Sequence, residues 1–441
     1  MKFLIVICTK LLNLKLLKMK KINLNLLMIL AVIFSLSIVT TSCSDDDGTT
    51  VEDPNGDGDG DGDGDNIVNK TGALTSDETW TSDNIYVLNN KVVVSAGVTL
   101  TIEPGTIVKA TTGSGSLSSA LIVARNATID AEGTPDQPII FTSVEDNIQV
   151  GQTAGTNLDQ NDRNLWGGVL ILGNAPGSFE GDVNEIQIEG IPASDTFGLY
   201  GGNDPSDSSG ILKYVSIRHG GTLIGEGNEI NGLTLGGVGN ETTIDQIEVV
   251  ANLDDGIEFF GGTVNATNLF VWAVGDDSID IDQSYSGTID NTMIVLGDIS
   301  DHAFEIDGPE GTFEDEFTLR NATLIGNTST DGGEFADFRS GARGLVENIY
   351  AVGFQTSSDV ELDDDGSANN YLNGDLSLSS WEVVLPSDVS SVGDLFNNTT
   401  SVSTPNFGNE ATAVTEGNQT VGANTSEFAW TYANEKAGLG F

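Results

Sequence analysis

Five short segments constrain this chain more than anything else in it: Gly256-Ile257-Glu258-Phe259, Ser278-Ile279-Asp280-Ile281, Ala303-Phe304-Glu305-Ile306, Gly333-Glu334-Phe335 and Val360-Glu361-Leu362. Each sets one acid among apolar residues, and the acids recur at intervals of 22, 25, 29 and 27 residues. A repeat of this length is the mark of a solenoid, in which each unit buries its apolar face only by stacking on the next. A second apolar segment accompanies each unit: Ile247-Glu248-Val249-Val250, Leu269-Phe270-Val271-Trp272, Met293-Ile294-Val295-Leu296, Thr323-Leu324-Ile325 and Ile349-Tyr350-Ala351-Val352. The segments are rich in β-branched residues, divided by Gly, Asn and Asp, and carry few helix signals. The expected fold is all-β: a right-handed parallel β-helix, a solenoid whose longer intervals carry loops.

Alternation along a strand then assigns the faces, because successive side chains point to opposite sides. Ile257, Phe259, Ile279, Ile281, Phe304, Ile306, Phe335, Val360 and Leu362 are expected to stack inside. The acids between them must face outward, in a column Glu258, Asp280, Glu305, Glu334, Glu361. Asp282, Asp307 and Asp363 make a second, partial column, and Asp254, Asp255, Asp276, Asp277 and Asp301 crowd the preceding turns. Coils stack about 4.8 Å apart. At that distance neighbouring carboxylates repel by about 1 kcal/mol in bulk water and about 3.5 kcal/mol at surface-like screening. Protonation, counter-ions or a bound cation would relieve this, and calcium suits an all-oxygen site best. Asp254, Asp255, Glu258, Asp277, Asp280, Asp282, Glu305 and Asp307 are the candidate ligands. The alternative is that the acids are simply hydrated and screened within a Debye length of about 8 Å.

The N-terminus reads as an export signal. Residues 24–39 form a largely apolar run, interrupted by Asn25, Ser35 and Ser37, Lys20 and Lys21 precede them, and Thr40-Thr41-Ser42 lead to Cys43. Sixteen residues are short for a membrane span, whereas small residues before a cysteine resemble a lipoprotein signal in which Cys43 is lipidated. Asp45-Asp46-Asp47 just after it resembles the export signal of surface lipoproteins in the Bacteroidota. Cys8, the only other cysteine, lies in the leader, so no disulfide is expected. Residues 55–65 read NGDGDGDGDGD, a flexible spacer with nothing to bury. The expected division is a signal peptide over 1–42, a lipidated linker over 43–70, a β-helix over 71–380 and C-terminal coils with a cap over 381–441. Phe428, Trp430, Tyr432, Leu439 and Phe441 supply apolar residues for that cap.

Charge excludes some partners. Six of the 17 basic residues lie in the leader, which leaves 11 against 66 acidic ones and a net charge of −55. Such a field repels nucleic acid and polyanions and attracts divalent cations.

Gly97-Val98-Thr99-Leu100-Thr101-Ile102-Glu103-Pro104-Gly105-Thr106, Trp166-Gly167-Gly168-Val169, Asn231-Gly232-Leu233-Thr234-Leu235, Asp254-Asp255-Gly256-Ile257-Glu258-Phe259-Phe260-Gly261-Gly262-Thr263 and Gly275-Asp276-Asp277-Ser278 together resemble the β-helix lipoproteins of marine and environmental Bacteroidota. That resemblance implies a fold and a place, lipid-anchored in the outer membrane and surface-exposed, and no particular reaction.

A narrower resemblance bears on chemistry. Asn252-Leu253-Asp254-Asp255-Gly256, Gly275-Asp276-Asp277-Ser278 and Asp301-His302-Ala303 resemble, in order, the N-T-D-G, G-D-D and G-H-G coils of polygalacturonases (glycoside hydrolase family 28). By that resemblance Asp276 is the general acid, Asp255 and Asp277 activate water, and His302 tunes them or binds substrate. One residue is inserted in the first motif, the glycines beside the histidine are missing and there is no R-I-K, with Arg339 a loose substitute. Turns between coils favour Asp and Gly in any case. Arg218, Arg339 and Arg343 are the candidate bases of a lyase, or structural arginines. Phe270 and Trp272 face outward, either to stack on sugars or to be buried by a loop.

The expected function is a surface binding or adhesion module, or an accessory one, for glycans, cations or an outer-membrane protein. The alternative is a polysaccharide hydrolase or lyase that uses Asp255, Asp276, Asp277 and His302.

Overall fold

The computed structural model describes residues 66–222, 230–329 and 332–441. Cys43, the leader and the spacer lie outside them. Parallel strands wind into coils, and from residue 210 each full coil pairs one short strand with one long bent one. The short strands Val169–Leu172, Leu233–Gly236, Ile257–Phe260, Ile279–Asp282, His302–Asp307, Glu334–Arg339, Val360–Leu362 and Phe396–Asn398 stack as one parallel sheet. The long strands, from Gly210–Arg218 to Leu376–Val383, stack as another. A parallel β-helix is therefore the fold.

Each long strand turns a corner at one residue with a positive φ: Tyr214, Gln246, Asn268, Asn291, Asn321, Asn348 and Ser380 lie between 49° and 64°. Asparagine tolerates this left-handed conformation better than most residues. Its amide also ties coils together, Asn291 Nδ2 donating to Asn268 Oδ1 at 2.6 Å and Asn348 Nδ2 to Asn321 Oδ1 at 3.1 Å.

The interior is the apolar stack that alternation predicts. Leu233, Ile257, Ile279, Phe304, Ala336 and Val360 follow one another in register, as do Leu235, Phe259, Ile281, Ile306, Phe338 and Leu362. All are buried. One coil is out of step with the expectation. Glu334 pairs with His302, and Asp337 takes the place between Glu305 and Glu361. The register of the strand Glu334–Arg339 falls three residues later than the repeat suggests, so Ala336 and Phe338 fill the core positions. Phe335 stacks instead on Phe354, ring centroids 3.8 Å apart.

The C-terminal segment also departs from the expected cap. Beyond the strand Ala411–Ala413 it runs back along the flank of the long strands. Backbone amides of Thr420, Ala423, Asn424 and Ala433 donate in turn to Glu382, Thr323, Asn291 and Glu248 at 2.5–2.9 Å. Phe428 meets Phe270 edge-on at 5.5 Å, and Tyr432 lies 6.2 Å from Trp272. The outward Phe270 and Trp272 need a cover, and this strap supplies it. The final coil is closed by Trp381, Phe396, Phe407 and Tyr371, packed at 5.3–6.0 Å, beside the helix Asp365–Asn373.

Candidate functional site: a buried acidic cleft

Three successive turns feed the short strands Ile257–Phe260, Ile279–Asp282 and His302–Asp307, and their acids are wired to one another. Asp255 Oδ1 accepts the backbone N–H of Asp277 at 2.9 Å. Asp277 Oδ1 accepts the backbone N–H of His302 at 2.8 Å and lies 2.8 Å from that imidazole's Nδ1. Glu305 stands 3.7 Å from the same nitrogen. Asn252 holds the first turn by donating to the Asp255 carbonyl at 2.8 Å. Glycine at 256 is required there, because a Cβ would sit 2.5 Å from the Ser278 carbonyl oxygen and from a Val271 methyl.

These turns and the acid column line a cavity of about 490 Å³, with Glu189, Asp254, Asp255, Glu258, Asp276, Asp277, Asp280, Asp301, His302, Glu305 and Arg339 on its walls. The column Glu258, Asp280, Glu305 is in register and faces away from the apolar core, as alternation requires. It is nevertheless buried. Asp255, Glu258, Asp277, Asp280 and Glu305 are only 3–8% exposed. An insertion at residues 173–209 adds a wall on this side. Its Phe179, Ile188, Ile191 and Tyr200 pack on Leu170, Leu172 and Phe260 in a second apolar cluster. Tyr200 donates to Gln283 at 2.6 Å. Glu189 reaches the cleft from this insertion.

Burial sets the electrostatics. It pushes the carboxyls of Asp255, Glu258 and Asp280 well above the usual range, and mutual repulsion adds to it. Glu305 rises to about 9, by burial and then by the charge and hydrogen bond of Asp277. Burial alone would lower His302, but the hydrogen bond and charge of Asp277, then Asp301 and Glu305, hold it up at about 9. Arg339 is a cation within the cleft, bonded to Asp307 at 2.7 Å and to Glu305.

Several buried oxygens around the cleft have no hydrogen-bonding partner in the protein: Asp280 Oδ1, Asn231 Oδ1 and Asn252 Oδ1. Each is an acceptor, and Asn231 uses its amide nitrogen on Glu258. Acceptors left unmatched in a buried site cost about 1–3 kcal/mol each unless a donor or a cation meets them. Single oxygens of Asp255, Glu258 and Asp280 lie within 4.8 Å of one another, as do those of Asp254, Asp255 and Asp276. Asp277, Glu305 and a nitrogen of His302 form a third such group. The residues present therefore fit a hard divalent cation.

All four residues with an expected catalytic role, Asp255, Asp276, Asp277 and His302, converge on this cavity. Of the expected metal ligands, Asp254, Asp255, Glu258, Asp277, Asp280 and Glu305 also line it, whereas Asp282 and Asp307 stand beyond its walls. Asp307 instead pairs with Arg339. Asp276 is exposed at the rim and Asp277 is buried beneath it. Sequence reasoning missed Glu189, which belongs to no repeat, and Asn231, whose signal was a polar residue just ahead of the strand Leu233–Gly236. His219 is buried on another coil, bonded to the Asp162 carbonyl at 2.7 Å. Arg218 is buried against Glu248, Arg343 pairs with Glu314, and neither lines the cleft.

No curated protein matches the sequence. Among solved structures, a pectin methylesterase from Aspergillus niger aligns over 76% of this chain and 85% of that chain, at 12% identity and a TM-score of 0.30. The family model described as a pectate-lyase-like β-helix domain matches residues 72–434, across all the coils described above. The chain belongs to that family.

Proposed function

We propose that this chain is a lipid-anchored bacterial surface protein whose β-helix binds calcium in the acidic cleft and holds a glycan against that ion. The observation that carries the reading is Asp280. Its buried Oδ1 has no partner, and it stands beside Asp255 and Glu258 in a cavity rich in carboxylates. A cation there would neutralise acids that burial otherwise drives toward protonation. Hydroxyls and carboxylates of a sugar are the natural completing ligands of a hard ion that binds 6–8 oxygens. A β-helix of pectate-lyase-like type fits a role on polysaccharide. The anchor rests on Cys43 and the acidic residues after it, and places the cleft outside the outer membrane with no nucleic-acid partner. A neighbouring outer-membrane protein is the other partner this location allows.

A second reading, cleavage of the glycan, has one observation in its favour: Asp255, Asp276, Asp277 and His302 share the cavity. The spacing counts against an inverting version of it. Oxygens of Asp255 and Asp276 lie within 4.8 Å, whereas inverting glycosidases separate their carboxyls by about 6.5–9.5 Å to admit water. The test is calorimetric titration of chelator-stripped protein with calcium, then glycan binding and turnover with and without the ion. Calcium-dependent binding without turnover is expected. Absence of calcium binding would overturn the proposal, and turnover lost in Asp276→Asn/Asp277→Asn would establish the second reading.

A further inference from the structure

The two coils after the cleft carry a separate group of carboxylates. Glu334 and Asp337 belong to the strand Glu334–Arg339, while Asp359 and Glu361 stand at the start of the next short strand, Val360–Leu362. Asp337 and Glu361 are register partners, and the Phe335 N–H bonds the Asp359 carbonyl at 3.1 Å, which brings Glu334 beside Asp359. The four acids thus lie as a grid on adjacent coils, in which Glu334, Asp359 and Glu361 approach one another and Asp337 adjoins Glu361.

Single oxygens of Glu334, Asp359 and Glu361 lie within 4.8 Å of one another. Two further facts separate this grid from hydrated surface acids. Asp337 is 9% exposed and its Oδ1 has no partner, and Asp359 Oδ1 is likewise buried and unmatched. The cationic groups that influence Asp337, His302 and Arg339, are already engaged by Asp277 and Glu305 and by Glu305 and Asp307. Glu334 rises to about 7, by burial and then through its hydrogen bond to Asp359.

We infer that Glu334, Asp337, Asp359 and Glu361 form a second divalent-cation site, of calcium type, that ties the coil Glu334–Arg339 to the coil Val360–Leu362. All its ligands are carboxylate oxygens, which selects calcium over zinc or copper. Two long glutamates on separate coils give the loose geometry that calcium accepts and magnesium does not. The site shares none of its residues with the cleft lining, so it stands or falls separately from the glycan-binding proposal.

The test is calcium titration by calorimetry of the full chain, stripped with chelator, at neutral pH, with circular dichroism to confirm the fold of each variant. Wild type is expected to bind two ions, Glu334→Gln/Asp359→Asn one, and Asp280→Asn one. A wild type that binds a single ion lost in Glu334→Gln/Asp359→Asn would support this site while removing the cleft's. Unchanged stoichiometry in Glu334→Gln/Asp359→Asn would overturn the inference. So would a wild type that binds one ion lost only in Asp280→Asn, or none at all. If the double variant fails to fold, Glu361→Gln alone is to be titrated, with loss of one ion expected and retention of both overturning the site.

Discussion

Without a divalent cation, this protein should become less stable as pH rises from 5 to 7, the reverse of ordinary acid denaturation. Asp282 is raised to about 7 by burial and then by the charges of Asp307 and Glu310. Asp337 is raised to about 6, chiefly by burial. An acid whose folded pKa lies above its unfolded value contributes stability below the unfolded value, and that stability is lost as pH climbs through the folded one. Across pH 5 to 6 these two acids alone hold about two more protons in the folded state than in the unfolded chain, and from 6 to 7 about one. At about 1.4 kcal/mol per proton per pH unit, their share of the loss is on the order of 4 kcal/mol, trimmed by solvent reaching Asp282. Glu305, Glu334 and the raised acids Asp255, Glu258 and Asp280 add to it in the same direction. Acids lowered by hydrogen bonds, Asp364 and Glu78 among them, act with the opposite sign but only below pH 4–5. A chain this long loses roughly 1–2 °C per kcal/mol, so a fall of at least about 5 °C in Tm is expected between pH 5 and 7 in chelator. Saturating calcium should abolish the fall if, as proposed, it binds the folded, ionised clusters. Scanning calorimetry at four pH values, with chelator and with calcium, measures both. A cation-free Tm that is flat or rises over that interval would refute the reasoning.

Asp280→Asn replaces a buried carboxyl that burial drives toward protonation and that has an unmatched oxygen. In chelator at pH 7 it should raise Tm by a few degrees while eliminating the cleft's calcium, a pairing that loss of fold could not mimic. Ending the chain at Ala413 removes Phe428 and Tyr432 from Phe270 and Trp272 and exposes the Arg218–Glu248 pair. At about 1.5–3 kcal/mol for each buried side chain, the loss should be on the order of 5 kcal/mol, seen as lower Tm and dye binding to the bared flank. Gly256→Ala forces a methyl against the Ser278 carbonyl and Val271. It should cost about 1–3 kcal/mol and weaken calcium binding by displacing Asp255, measured by thermal melts and titration.

The parts of this fold that were legible in the sequence are those fixed by neighbours along one strand. Ile257, Phe259, Ile279 and Ile281 face inward because they alternate with Glu258 and Asp280, and no distant residue was needed to see it. The same reasoning slipped at Glu334, where the register falls three residues later and Phe335 leaves the column for Phe354. Register in a solenoid is decided by stacking against the adjacent coil, and the intervals of 25–29 residues hide where each strand begins. The C-terminal strap was misread for a related reason. Aromatic residues near the end of a solenoid suit a cap, but Phe428 and Tyr432 are bound by the unusual outward Phe270 and Trp272, about 160 residues earlier.

The largest gap between sequence and structure lies in the meaning of an outward acid. Alternation says only that Glu258, Asp280 and Glu305 point away from the core, and an acid pointing into water would be screened and nearly silent. What changes their chemistry is the position of the cleft beside the wall at residues 173–209, whose Phe179, Ile188 and Tyr200 cluster on the outer face of the same sheet. No periodicity announces that wall. Its hairpin, Ile186–Gln187 with Leu199–Tyr200, is the one antiparallel sheet among the described residues. Once it is in place, side chains with ordinary pKa values in solution become 3–8% exposed, and the same repulsion that water would have absorbed becomes a demand for a proton or a metal ion. A β-helix can thus change the chemistry of its outward acids without altering its core repeat, by moving cover over acids that the repeat already turns outward.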